Sequence, residues 1–153
     1  MPRTILIGSD HAGFKLKKVL EHYLLRLGYA VEDVGTYTQQ SCDYPDFAAD
    51  LASEISRDKF KRGILICKSG IGNSIVANRF PGVRAALCAS IKAARLSRKD
   101  NDSNVLAMGA GFVSESLAKR ILKEWLNTGF EGGRHQRRLN KIEKIERGLK
   151  IKG

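Results

Sequence analysis

Residues 63–74 read Gly-Ile-Leu-Ile-Cys-Lys-Ser-Gly-Ile-Gly-Asn-Ser, and this stretch decides the fold class. The run from Gly63 to Cys67 is short, apolar and rich in isoleucine, which predicts a buried strand. A glycine-containing turn follows, and the next residues, from about Asn73 to Phe80, predict a helix. A buried strand that leads directly into a helix is typical of parallel α/β proteins.

The same alternation of strand and helix continues along the chain in both directions. Four more strands are predicted, at residues 4–7, 30–34, 83–88 and 105–108. Helices are predicted between and after them, at residues 16–27, 45–55, 90–99 and 114–127, with Ser90 as an N-cap. This order predicts a doubly wound, parallel five-stranded sheet in a Rossmann-like, three-layer αβα fold. Since the chain has 153 residues, we expect residues 1–153 to form a single domain.

The last segment departs from this alternation. Residues 134–150 predict a helix with one apolar stripe, and no strand follows it. The members of the stripe are Leu139, Ile142, Ile145 and Leu149. The stripe could pack on the chain's own sheet layer or on a second subunit, and we favour a helix that reaches a partner subunit.

The composition excludes several classes of protein. An apolar content of 42% with three prolines argues against disorder. No apolar run approaches the roughly 18 residues of a membrane span, and the residues after Met1 lack the apolar core of a signal peptide. The three cysteines, Cys42, Cys67 and Cys88, are odd in number and have no CxxC spacing. They fit a reducing environment, so a cytoplasmic protein without membrane contact is expected.

The net charge of +11 is concentrated near the end of the chain. Residues 132–153 contain eight basic and two acidic side chains, a net +6 of that total. Such an excess could serve nucleic-acid binding, an anionic small substrate or solubility. The basic tail has no interleaved aromatic residues that would stack on bases, so we expect no nucleic acid as partner.

Polar residues lie at the ends of three predicted strands, and ligands of open α/β sheets bind beyond the carboxyl ends. One of these groups, Asp100-Asn101-Asp102, precedes its strand and so lies at the opposite end unless the helix before it projects past the sheet. Cys67 lies at the end of its strand, before a glycine-rich turn whose amides and helix dipole could hold an anion. It could be a thiolate nucleophile or base, or a buried, inert thiol, and the inert interpretation fits Cys88 better. Asp10 and His11 could be an acid–base pair or bind a hydroxyl, although Asp10 could simply cap the next helix. Arg134 and Arg138, four residues apart, could clamp a phosphate or form a solvated face.

Five segments, taken together, resemble ribose-5-phosphate isomerase B and the galactose-6-phosphate isomerase subunits. They are GSDHAGF at 8–14, DYPDFA at 43–48, GILICKSGIGNSIVANRFPGVRAALC at 63–88, LSRKDNDSNVLAMG at 96–109 and EGGRHQRRL at 131–139. The resemblance implies a cofactor-free, metal-free isomerase that interconverts D-ribose 5-phosphate and D-ribulose 5-phosphate in the pentose phosphate pathway. It also implies a homodimer, or a dimer of dimers, with sites shared between subunits.

The resemblance also assigns roles to residues of this chain. Cys67 matches the base that moves a proton between C2 and C1 through a cis-enediolate. The turn amides would stabilise the oxyanion. The predicted substrate-binding residues are Asp10, His11, Lys68, Ser69, Gly70, Ile71, Gly72 and Asn101. Arg134 and Arg138 match phosphate-binding arginines supplied by the neighbouring subunit.

Three positions depart from the family pattern. Asp100 replaces the histidine of a His-Asn-Asp run that is expected to open the furanose ring. A carboxylate could still carry that proton, although it is a poorer match to neutral pH, so Asp100 is the second catalytic candidate after Cys67. Lys68 replaces a glycine after the base, where it could lower the thiol pKa or point outward. Gly111 replaces an arginine. Two alternatives therefore stay open: a hexose-6-phosphate isomerase acting on galactose or allose 6-phosphate, and a sugar-phosphate binder that has lost ring opening.

Overall fold

The computed structural model of the protein describes residues 4–60 and 62–152. The strands are β1 (Thr4–Ser9), β2 (Ala30–Asp33), β3 (Arg62–Cys67), β4 (Ala85–Leu87) and β5 (Val105–Gly109). The helices are α1 (Phe14–Arg26), α2 (Tyr44–Ser56), α3 (Ile71–Ala77), α4 (Ile91–Asn101), α5 (Glu115–Asn127) and α6 (Arg134–Lys152). None of the helices in these two ranges is long and apolar enough to cross a membrane.

The five strands form one parallel sheet, as predicted, and their order is β2-β1-β3-β5-β4. Helices cover both faces. One face packs against α1, α4 and α5 through a core that includes Leu20, Ala94 and Trp125, and the other packs against α2 and α3 through Leu51 and Ala77. The strand order reverses between β1 and β3, so the crevice beyond their carboxyl ends is the place where a doubly wound sheet binds its ligand.

The bounds of α3 and β4 differ from their predictions for a reason that the structure shows. The helix α3 ends at Ala77 rather than near Phe80, and β4 begins at Ala85 rather than at Val83. The side chain of Asn78 accounts for both ends, because it donates to the Ala85 carbonyl (3.0 Å) and accepts from the Ala85 N–H (2.8 Å). Asn78 is the residue that ends α3, and its side chain thus takes the place of a neighbouring strand at the start of β4.

The predicted N-cap of α4 is confirmed, because the Ser90 side chain accepts a hydrogen bond from the Ala93 N–H. The helix α6 begins at Arg134, as predicted. Most of its apolar stripe is uncovered in the single chain, where Ile142, Ile145 and Leu149 are 52%, 64% and 65% exposed. Contact with its own chain includes the Glu146 carboxylate, which accepts from the Gly82 N–H at 3.0 Å.

Candidate active site

The carboxyl ends of β1 and β3 bring two of the predicted groups together. These strands pair in register, with Ser9 opposite Ile66, so the residues that follow each strand are neighbours. The Asp10 N–H also donates to the carbonyl of Ile66, the residue before Cys67. Asp10, His11 and the Cys67 turn therefore share one edge of the sheet, as the sequence predicted.

The Cys67 thiol is buried at the end of β3, and its Sγ accepts a hydrogen bond from the Gly70 N–H at 3.1 Å. An N–H that points at sulfur stabilises negative charge there. Gly70 has a positive φ of 80°, and a Cβ at this position would lie 2.6 Å from the Leu87 side chain and 2.8 Å from the Met108 carbonyl carbon. The turn that holds the thiol therefore requires glycine.

The other turn residues also lie beside Cys67. The Ile71 N–H donates to the Ser69 Oγ at 3.2 Å, so an anion that used this amide would have to displace the hydroxyl. Gly72 lies beneath the Tyr44 ring, which a Cβ at position 72 would meet at 2.4 Å. Lys68 is exposed. Tyr44 belongs to the quoted DYPDFA segment, but it was not among the predicted site residues.

One carboxylate oxygen of Asp10 caps the helix α1, which was the alternative role considered for this residue. Its Oδ1 accepts from the N–H of Gly13, the residue at the start of α1, at 3.0 Å. The side chain is buried, so the interaction fixes the carboxylate at the mouth of the β1–β3 crevice. Capping and a role in the site are therefore compatible.

His11 is oriented by a residue that the sequence analysis did not connect to it. The Cys42 N–H donates to the Nδ1 of His11 at 3.2 Å, and the Cys42 Sγ lies 3.8 Å from the same nitrogen. A ring nitrogen that accepts a hydrogen bond carries no proton, so the neutral imidazole has its proton on Nε2. His11 can therefore donate a hydrogen bond through Nε2.

The buried side chain of Lys17 holds the loop after β2, which lies beside the same edge of the sheet. The Lys17 Nζ donates to the Asp33 carboxylate at 2.7 Å and to the carbonyl of Thr36. Burial lowers the pKa of Lys17, and the hydrogen bond and charge of Asp33 oppose that shift. The loop it holds is bonded in turn to the end of β1, since the Ser9 N–H donates to the Gly35 carbonyl at 2.7 Å.

The remaining predicted residues lie at the opposite edge of the sheet. Asp100 and Asn101 end α4 and precede β5, whereas Cys67 ends β3. The carbonyl of the nearby Asn104 accepts from the N–H of Gly63, at the start of β3. Cys67 lies four residues further along that strand, about 13 Å away at the usual rise per residue. Within one chain, the candidate residues therefore form two separate groups.

Arg134 and Arg138 belong to the second group. Both are exposed on the first turns of α6, whereas His135, the residue after Arg134, packs toward α4. The His135 Nε2 lies 3.4 Å from the Asp100 Oδ1. This contact joins the start of α6, which carries the two arginines, to the end of α4, which carries Asp100 and Asn101.

Cys88 behaves as the sequence predicted for an inert thiol. It is 1% exposed, and burial raises its pKa from 9.0 to about 11, against a smaller opposing effect of its hydrogen bond with Ser97. Within residues 4–60 and 62–152, no group of three or more His, Cys, Asp or Glu side chains is arranged to hold a metal ion.

Comparison with known proteins agrees with the family resemblance of the five sequence segments. Residues 5–142 match the family model described as Ribose/Galactose Isomerase. The chain is 44% identical to ribose-5-phosphate isomerase B of Escherichia coli (strain K12) over 144 residues, which cover 94% of this chain and 97% of that protein.

Two solved structures are similar over almost their whole length. The ribose-5-phosphate isomerase B of Clostridium thermocellum has a TM-score of 0.94 at 45% identity, covering 95% of this chain and 99% of that one. The enzyme of Mycoplasma genitalium, solved with bound ribulose-5-phosphate, has a TM-score of 0.91 at 41% identity, covering 94% and 96%.

Proposed function

This chain belongs to the ribose/galactose isomerase family, and we propose that it interconverts D-ribose 5-phosphate and D-ribulose 5-phosphate. The observation that carries the proposal is the Gly70 N–H on the Cys67 Sγ, at the sheet edge that Asp10 and His11 share. The similarity to ribose-5-phosphate isomerase B proteins over nearly the whole chain supports the choice of a pentose.

Cys67 acts as the base. Its thiolate takes the proton from C2 of the open-chain aldose. The electron pair of that C–H bond forms the C1=C2 double bond while the π pair of C1=O1 moves to O1, which gives a cis-enediolate. The thiol then returns the proton to C1 while a proton moves from the C2 hydroxyl to O1, so the step is balanced without an external oxidant or reductant. His11 donates through Nε2 to a substrate oxygen, because its Nδ1 is occupied by the Cys42 N–H.

Each site is shared between two copies of the chain. One copy supplies Cys67, Asp10 and His11, and the other supplies Asp100, Asn101, Arg134 and Arg138. The separation of these two groups in a single chain supports this division. The arginines bind the phosphate, so part of the positive charge serves substrate binding.

Uncovered apolar side chains support the same assembly. Beside the Cys67 turn, Ile71, Ile75 and Leu87 are exposed, and on α6 the stripe of Ile142, Ile145 and Leu149 is exposed. A dimer in which the α6 stripe of one copy covers the turn of the other would bury both surfaces and bring Arg134 to the phosphate.

The proposal is tested with purified protein and its Cys67→Ser variant. We expect turnover of ribose 5-phosphate, and we expect Cys67→Ser to lose at least about 1,000-fold in the rate of deuterium uptake at the carbon-bound position while still binding phosphosugar. The matched control is Cys88→Ser, which should keep the rate. Faster turnover of galactose or allose 6-phosphate would make the pentose assignment wrong, and unchanged exchange in Cys67→Ser would exclude this thiol as the base.

A further inference from the structure

The imidazole of His135 is buried directly behind the Asp100 carboxylate. His135 is 6% exposed, and its Nε2 lies 3.4 Å from the Asp100 Oδ1. Within the described part of the chain, this Nε2 has no hydrogen-bond partner. The Asp100 side chain itself is 39% exposed, so one carboxylate oxygen faces the imidazole while the group remains open to a ligand.

Of the two carboxylates near the His135 imidazole, Asp100 is the one available to pair with it. The second carboxylate near Nε2 belongs to Glu131, whose Oε2 is 4.0 Å away. Glu131 is already engaged, because its Oε1 lies 2.9 Å from the Lys99 Nζ and its pKa is lowered chiefly by that lysine. Arg134, the preceding residue, is exposed and adds positive charge on the outer side.

Asp100 is poorly placed for a purely structural role. It lies in the last turn of α4, where the helix dipole disfavours a negative charge. Its neighbour Asp102 pairs with both Arg84 and Arg98, whereas Asp100 has His135 as its ion-pair partner among the described residues. A carboxylate at this unfavourable position, in contact with an imidazole, is typical of a group that accepts and returns a proton.

We propose that His135 is a positioning residue that holds Asp100 in place as the group that opens the furanose ring of the substrate. This inference rests on the proposed function. When substrate binds, the Nε2–H closes its 3.4 Å separation from the Asp100 Oδ1 and donates to it, which leaves Oδ2 facing the partner subunit's site. There Oδ2 accepts the proton of the C1 hydroxyl, C1=O1 forms, and the C1–O4 bond breaks with its electron pair going to O4. The proton then passes from Oδ2 to O4, so the carboxylate is regenerated.

The two sugars allow ring opening to be measured apart from enolisation. Ribulose 5-phosphate has its carbonyl at C2 and its C5 oxygen esterified, so it cannot close to a five-membered ring and needs no opening. Deuterium uptake at its C1 from heavy water therefore reports the Cys67 step alone. Net conversion of ribose 5-phosphate requires ring opening as well.

The experiment compares His135→Leu, which removes the donor, with His135→Gln, whose amide can still donate to Asp100. His22→Leu is the matched control, because His22 is exposed on α1. We expect His135→Leu to lower kcat for ribose 5-phosphate about 10- to 100-fold while deuterium uptake into ribulose 5-phosphate stays within about twofold. His135→Gln should restore much of the loss, and His22→Leu should change neither rate.

Asp100→Asn keeps the test decisive if His135→Leu does not fold. It should show the same selective loss, and adding His135→Leu to it should cost little more, because the two residues act as one unit. Equal losses in both reactions, or no loss in either, would overturn the inference. A wild-type protein that converts neither sugar would instead contradict the proposed function.

Discussion

The backbone N–H of Gly70 donates a hydrogen bond to the Sγ of Cys67 across 3.1 Å. The bond spans three residues, and it forms because Gly70 adopts a positive φ of 80°. The same turn begins α3, so the geometry that ends the central strand also aims an N–H at the thiol. The conformation of one glycine therefore sets the environment of the proposed base.

Gly70→Ala should lower both stability and activity. A Cβ at this position would meet Leu87 at 2.6 Å and Met108 at 2.8 Å, in addition to the strain of a positive φ. We expect a loss of about 2–3 kcal/mol in the free energy of unfolding, measured by urea denaturation, together with slower isomerisation.

Gly82→Ala is the matched control for this substitution. Gly82 has nearly the same φ, +79°, but a Cβ there would meet nothing within 4 Å. It should lose about 1 kcal/mol from strain alone and keep its activity. Equal effects of the two substitutions would show that the close packing at position 70 is unimportant.

Lys17→Met should destabilise the protein by about 2 kcal/mol, because it leaves the Thr36 carbonyl and part of the Asp33 carboxylate without their buried donor. The neighbouring Lys18→Met is the control. Lys18 also reaches Asp33, at 3.4 Å, but its side chain is 48% exposed, so its loss should cost under about 1 kcal/mol.

The same lysine predicts a dependence on pH. Because the folded protein lowers the pKa of Lys17 below 10.5, chiefly by burial, the unfolded chain binds this proton more tightly. The stability of the wild type relative to Lys17→Met should therefore increase as pH rises from neutral toward 10.5. A difference that shrinks over this range would contradict the assigned cause of the shift.

Cys88 predicts a change of the opposite sign. Its folded-state pKa of about 11 exceeds the ordinary 9.0, so the unfolded chain releases this proton first and the folded state loses stability between these values. Near pH 10, the advantage of the wild type over Cys88→Ser should be about 1 kcal/mol smaller than at pH 7. Urea denaturation at the two pH values measures it, and a constant difference would show that the thiol does not titrate there.

Much of the fold was predictable because its signals are local. Apolar runs between glycines marked the strands, and the serine before α4 marked its start. The ends of α3 and β4 were not predictable, because the Asn78 side chain bonds to Ala85, which lies beyond a turn. A side chain that replaces a strand leaves no periodic pattern in the sequence.

The site was predictable as a set of residue types but not as a geometry. The hydrogen bond from Cys42 to His11 joins residues 31 positions apart, and nothing in either segment indicates it. Lys17 did leave a signal, because it lies three residues before Leu20 and seven before Leu24, on the buried face of α1. A charged residue on an apolar face indicates a buried partner, which the structure identifies as Asp33.

The sharing of sites between subunits is tested most directly by mixing two inactive variants. Cys67→Ser removes the base from both sites of its own dimer, and Arg134→Ala combined with Arg138→Ala removes the phosphate clamp from both sites of its own dimer. If the sites are shared, each mixed dimer has one site with its own intact Cys67 and the intact arginines of the other copy.

Unfolding and refolding an equimolar mixture should therefore recover about a quarter of the wild-type isomerase activity, since half of the dimers are mixed and each has one intact site. The variants refolded separately should stay inactive. A mixture that is as inactive as its components, although mixed dimers have formed, would contradict the account.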